Sequence, residues 1–218
     1  MNKTTKFVNH VRSICKKTNT VFYLGSGKSI RNSDSNSVNE GFFQAGFEPG
    51  VNKLCVATGY PREKWLSTLV HEYCHLRQWL DDDPCWDTEI DGWGDAYNLI
   101  DIWLDHNSEY PKPLINKVYK NVITCELDCE KRTIEIIKKY GLPISIPKYI
   151  KRASVCLLWY GVSKQVRKWH EYSDWYKKNS YPKLLRSVPS EFLDFSAYYK
   201  PSDEYMTRFK KLGWKNHV

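Results

Sequence analysis

Apolar residues recur at helical spacing over most of this chain and at strand spacing only near its start. Residues 61–80 carry Leu66, Leu69, Val70, Tyr73, Leu76, Trp79 and Leu80 in helical phase, behind a proline suited to a first helical position. Asp81-Asp82-Asp83-Pro84 ends the pattern, because proline disfavours helix at the residue before it. The same phase returns over 87–105 through Ile90, Trp93, Tyr97, Ile100 and Leu104. A longer helix is expected over 113–140, closed by Gly141-Leu142-Pro143, and a fourth over 147–170. Val21-Phe22-Tyr23-Leu24 and residues 52–58 read as short strands, while 31–40 reads as a polar loop. The tail, 180–218, is aromatic and basic, with short helices at best. The pattern predicts an α+β, helix-dominated protein with a small N-terminal sheet and a helical C-terminal extension. No repeat or long linker divides it, so one domain over 1–218 is expected. Its parts are a sheet region at 1–60, helices at 61–140, and a basic, aromatic-rich part at 141–218.

The helix over 61–80 also carries chemistry. His71 and His75 are four apart, so their imidazoles share a face and can point at one centre. Two neutral imidazoles suit Zn²⁺, and a catalytic site keeps one position open for water. Glu72, in His71-Glu72-Tyr73-Cys74-His75, is placed to act as general base on such a water. The blander reading is two surface histidines beside a solvated glutamate. Against it, the motif sits mid-helix among Leu69, Val70 and Leu76, where polar groups need partners or a metal.

A third ligand is sought on the helix over 113–140. Its apolar stripe runs through Tyr119, Val122, Ile123, Leu127, Thr133, Ile134 and Ile137, and Glu126 and Glu130 fall on it. Carboxylates there are costly unless something positive holds them. Glu126 is assigned as third ligand and Glu130 as acceptor for a ligand imidazole's free N–H, with the exchanged order open. Otherwise one of them pairs with Lys120, Lys131 or Arg132 on the helix surface.

These residues resemble the H-E-x-x-H zincins with a distal glutamate ligand, the gluzincin type. The segment Glu126-Leu127-Asp128-Cys129-Glu130 matches that family's E-x-x-x-acid form, with Glu130 where thermolysin-like members place Asp. Residues 70–79 and 126–132 are also similar to small bacteriophage-encoded metallopeptidases. The resemblance covers about residues 50–140. It implies a zincin-like domain, a zinc cofactor and hydrolysis of a protein or peptide substrate. No H-x-x-G-x-x-H extension follows His75, which excludes the three-histidine type. Tyr149, Tyr160 and His170 are candidate donors to a transition-state oxyanion, each with packing as the simpler role. The strand over 54–58 offers an edge for an extended peptide, or simply closes the sheet.

Charge and cysteines narrow the setting. The net charge of +8 is uneven: −3 over residues 1–108 and +11 over 109–218. A basic half suits a solvated face, an acidic partner or nucleic acid, but no nucleic-acid motif accompanies it. Seven cysteines, an odd number without C-x-x-C, fit reduced thiols. Residues 1–17 lack the apolar core of a signal peptide, and no apolar run approaches the ~20 residues that span a bilayer. A cytoplasmic protein is expected, in a host cell's cytoplasm if phage-encoded. Gly25-Ser26-Gly27-Lys28-Ser29 fails as a phosphate loop because Phe22 stands where the first glycine belongs. Cys125 and Cys129 read as packing, and residues 81–91 lack the spacing of a calcium loop. His106 is a weaker third-ligand candidate. Two competing functions remain: a catalytically silent zinc-containing binding or inhibitor protein acting through the aromatic, basic half, and a protease recruited to DNA.

Overall fold

The computed structural model describes residues 2–32, 38–45, 51–86, 89–90, 92–105, 108–168 and 181–211. Among them eight helices and seven short strands make the expected α+β, helix-dominated class. The chain forms two compact units, Met1–Trp86 with Cys129–Ile146, and Asp87–Asp128 with Pro147–Val218.

The first unit opens with helix α1, Lys3–Lys17, which the sequence reading did not foresee. Asn2 caps it by accepting from Thr5 N, and Phe7, Val11 and Cys15, each four apart, form its buried stripe. Three apolar positions in a lysine-rich stretch are a weak periodic signal. Strands β1 (Val21–Gly25), β5 (Lys53–Ala57) and β4 (Gly41–Gln44) form one sheet in the order β1-β5-β4. β1 runs parallel to β5 from Val21↔Lys53 to Gly25↔Ala57, and β4 runs antiparallel from Gly41↔Val56 to Gln44↔Lys53. Strand β5 is therefore central, which leaves no edge for a peptide and favours the other expected role, closing the sheet. Its four buried residues, Leu54 to Ala57, reflect cover on both faces. The expected polar loop instead holds two short strands, β2 (Ile30–Arg31) and β3 (Val38–Asn39), paired antiparallel. β2 follows Gly27-Lys28-Ser29 where a phosphate loop would have a helix. Gly25 O accepts from both Thr58 N and Thr58 Oγ1, so this loop docks the exit of β5. Helix α2, Arg62–Leu80, follows directly after Pro61.

The second unit starts with a hairpin, β6 (Glu89–Ile90) against β7 (Gly94–Asp95). The helix expected from 87 therefore begins only at Ala96, as α3, Ala96–Leu104. Gly92 at φ +72° and Gly94 at φ +97° turn the chain where a right-handed helix cannot run. Asp95 then caps α3, accepting from Tyr97 N and Asn98 N. Helix α4, Lys112–Tyr140, gives its first part to this unit and its last to the other, and ends at Gly141, φ +57°. Helix α5, Ile146–Val166, stops before Arg167, whose φ is +49°. Short helices α6 (Tyr181–Ser187), α7 (Phe195–Tyr199) and α8 (Asp203–Lys210) fill the tail. Leu99, Ile100, Val118, Tyr119 and Val122 form one buried cluster; Ile123, Leu158, Val162, Tyr198 and Phe209 belong to a second. No helix among the described residues is long and apolar enough to cross a membrane.

Gly161 permits the closest approach in this second core. A Cβ there would stand 2.0 Å from the Tyr198 carbonyl oxygen. Alanine normally stabilises a helix interior relative to glycine by up to about 1 kcal/mol. Here overpacking reverses the sign, and Gly161→Ala should lower unfolding stability by about 1–3 kcal/mol. A denaturant midpoint equal to or above that of the parent would contradict this packing.

Candidate metal centre

Helix α2 presents the motif from within a covered environment. Leu66, Leu69, Val70, Tyr73 and Leu76 are buried, and Glu72, His75 and Gln78 are buried with them. The His71 and His75 rings meet edge to face with centroids 4.7 Å apart, and their Nε2 atoms approach to 3.1 Å. Two Zn–N bonds of about 2.0–2.1 Å at a tetrahedral angle would set donor nitrogens about 3.3 Å apart. The pair thus has nearly the spacing that a bound metal requires.

The hydrogen bonds behind the rings decide which nitrogen carries the proton. Gln78 Nε2 donates to Cys85 Sγ at 3.3 Å, which turns Gln78 Oε1 towards His75 Nδ1, 2.8 Å away. An amide oxygen only accepts, so His75 Nδ1 is the N–H. Behind His71, Glu130 Oε1 lies 3.4 Å from Nδ1 and Cys129 Sγ 3.5 Å from it, while the Cys129 thiol donates to His71 O at 3.3 Å. Two acceptors flank that nitrogen, so His71 Nδ1 is an N–H as well. Both Nε2 atoms are left as lone pairs facing each other. Lone pairs at 3.1 Å repel, and a metal ion or a shared proton between them would relieve that repulsion.

His71, His75 and Cys129 form a group whose ligand atoms lie within 4.8 Å of one another, and it could hold a metal ion. Cys129, which the sequence suggested as packing, lies against His71 Nδ1 rather than at the Nε2 pair. Glu130 lies on the Nδ1 side of the His71 ring. Glu72 Oε2 accepts from Phe43 N on β4 at 2.8 Å. Its charge acts on its surroundings: burial pushes the Cys55 thiol above its ordinary pKa, with Lys53 opposing and Glu72 reinforcing the rise. Three half-buried rings form a chain that ends at His75. Trp86 lies 5.7 Å from the His75 ring and 5.5 Å from Phe43, with Trp79 6.1 Å from Phe43.

The other expected site residues belong to the second unit. Glu126 accepts from Tyr97 Oη at 2.8 Å. Burial, reinforced by that carboxylate, raises the Tyr97 phenol well above its usual range. Tyr160 is raised likewise, by burial first and then Glu126, and packs against Trp159. Tyr149 is buried on α5. His170 and His106 lie outside the described residues. Gln78 was missed by sequence reasoning, although its position three residues after His75 places it on the same helical face. Arg132, a possible surface partner for the glutamates, pairs with Asp83 and Asp81. None of the seven cysteines forms a disulfide.

No family model, curated protein or solved structure matches this chain.

The geometry predicts about one divalent ion per chain. His71→Ala or His75→Ala should weaken metal binding by more than the 10–100-fold typical of losing an outer-shell partner. Titration against a chelator indicator measures this, and unchanged affinity in both variants would remove the site.

Proposed function

We propose that this chain is a zinc-dependent metallopeptidase of the gluzincin kind, hydrolysing peptide bonds. The observation that carries the reading is the approach of His71 Nε2 to His75 Nε2 at 3.1 Å, on the helix that also holds Glu72. Two imidazoles with carboxylate support suit zinc among the common divalent ions. His71 and His75 hold the metal through Nε2. Glu126 supplies the third ligand on sequence grounds, one helical turn before Glu130, which steadies His71.

Zinc bound there supplies Lewis acidity towards a water and a scissile carbonyl. Glu72 takes the water's proton and returns it to the leaving amine. The Phe43 amide holds the carboxylate through Oε2. Phe43, Trp79 and Trp86 give an apolar or aromatic substrate side chain a surface beside His75.

A second reading, a zinc-containing binding or inhibitor protein without turnover, draws on the same Glu72–Phe43 contact. A buried carboxylate satisfied by a backbone amide is also what a purely structural glutamate needs. Glu72→Gln separates the two. As a peptidase, the variant keeps about one zinc per chain and loses at least about 10²-fold in cleavage rate. If neither parent nor variant cleaves a diverse peptide library while both hold zinc, the silent reading replaces the enzyme.

Ligand order is tested on the same assay. Glu126→Ala should lower zinc affinity beyond the 10–100-fold expected for Glu130→Ala. The reverse ranking exchanges the roles of the two glutamates.

A further inference from the structure

We infer that Gln78 is the positioning residue that makes His75 a metal ligand; this rests on the metal reading of the site. Its side chain is fully buried, so both ends of the carboxamide must be satisfied within the protein. The oxygen faces His75 Nδ1 at 2.8 Å and the nitrogen faces Cys85 Sγ at 3.3 Å. The turn that carries Cys85 is itself held. Cys85 N donates to Asp83 Oδ1 at 3.0 Å, Asp83 N donates to Gln78 O at 3.0 Å, and the Asp83 carboxylate pairs with Arg132.

That arrangement does more than satisfy a buried amide. With the oxygen towards Nδ1, His75 keeps its proton there and offers a lone pair at Nε2. With the amino group towards Nδ1, the tautomer would reverse and Nε2–H would point at His71, closing the centre to a cation. The two imidazoles are therefore supported differently: His71 by the Glu130 carboxylate, His75 by a neutral acceptor. Gln78 fixes the tautomer of His75 without adding a negative charge to the centre.

Two substitutions separate this role from packing. Gln78→Met keeps an unbranched side chain of similar size but removes the acceptor, and zinc affinity should fall about 10–100-fold. Gln78→Glu keeps the acceptor and adds charge, so affinity should match or exceed that of the parent, because a carboxylate makes the imidazole a stronger donor. In the metal-free parent, ¹⁵N shifts of the imidazoles should report His75 protonated at Nδ1, a readout that needs neither zinc nor activity. The inference is overturned if folded Gln78→Met binds zinc within about twofold of the parent. It is equally overturned if both variants lose zinc alike, or if His75 carries its proton on Nε2 in the metal-free parent. A parent protein that shows Nδ1 protonation yet binds no zinc defeats the metal reading instead and leaves the positioning of His75 intact.

Discussion

The first unit is organised by one constraint: α2 buries ionisable and amide side chains that a solvated helix would leave outside. Glu72, His75 and Gln78 are each at most 9% exposed, among Leu66, Leu69, Val70 and Leu76. A buried polar group without a partner costs on the order of 1–3 kcal/mol, and a buried charge more. The surrounding elements are placed to meet that demand. Strand β4 brings the Phe43 amide to Glu72, and it gets near enough because residue 41 is glycine: a Cβ there would lie 2.6 Å from Thr68 Cγ2 on α2. The turn after α2 brings Cys85 to Gln78, and the last part of α4 brings Cys129 and Glu130 to His71.

The two variable positions inside the motif serve anchoring. Tyr73 turns to α1, where its ring meets Phe7 edge to face and its hydroxyl lies 3.0 Å from His10 Nε2. Burial pushes the Tyr73 phenol up to about 12, so it stays a neutral hydrogen-bonding group at any ordinary pH. Cys74 turns to α4. Its Sγ accepts from Thr133 Oγ1 at 3.5 Å. His71, Glu72 and His75 thus work on one side of a helix that Tyr73 and Cys74 lock against rotation.

The parts legible from sequence are those where local rules and tertiary packing agree. α2, α4 and α5 have long periodic patterns, the first two with proline or glycine stops, and β1 and β5 have flanking turns. β4 escaped notice because Gly-Phe-Phe-Gln neither alternates nor runs long. The hairpin ahead of α3 was read as helix because Ile90 and Trp93 happen to fall in helical phase, and two positive-φ glycines override that phase. In the site, His71, Glu72, His75 and Glu130 are side-chain signals at fixed spacing. The Phe43 amide leaves no trace in a sequence, and glutamine at 78 looks like an ordinary surface residue until its burial is known. Glu126 shows the remaining limit: periodicity places it one turn before Glu130, but its partner Tyr97 is chosen by tertiary packing.

Charge balance favours a divalent ion over a shared proton between the two imidazoles. With both Nδ1 atoms protonated and both Nε2 atoms bare, the rings are neutral. The buried Glu72 and Glu130 then leave two negative charges on this part of the unit. Arg77 and Arg132, two of the cations on the same helices, are engaged with Asp81 and Asp83. A proton between the Nε2 atoms would offset half of that charge. A divalent cation offsets all of it and satisfies both lone pairs in a single geometry. Since uncompensated buried charge costs several kcal/mol per ion, the pocket is better suited to a metal than to the proton that could otherwise bridge it.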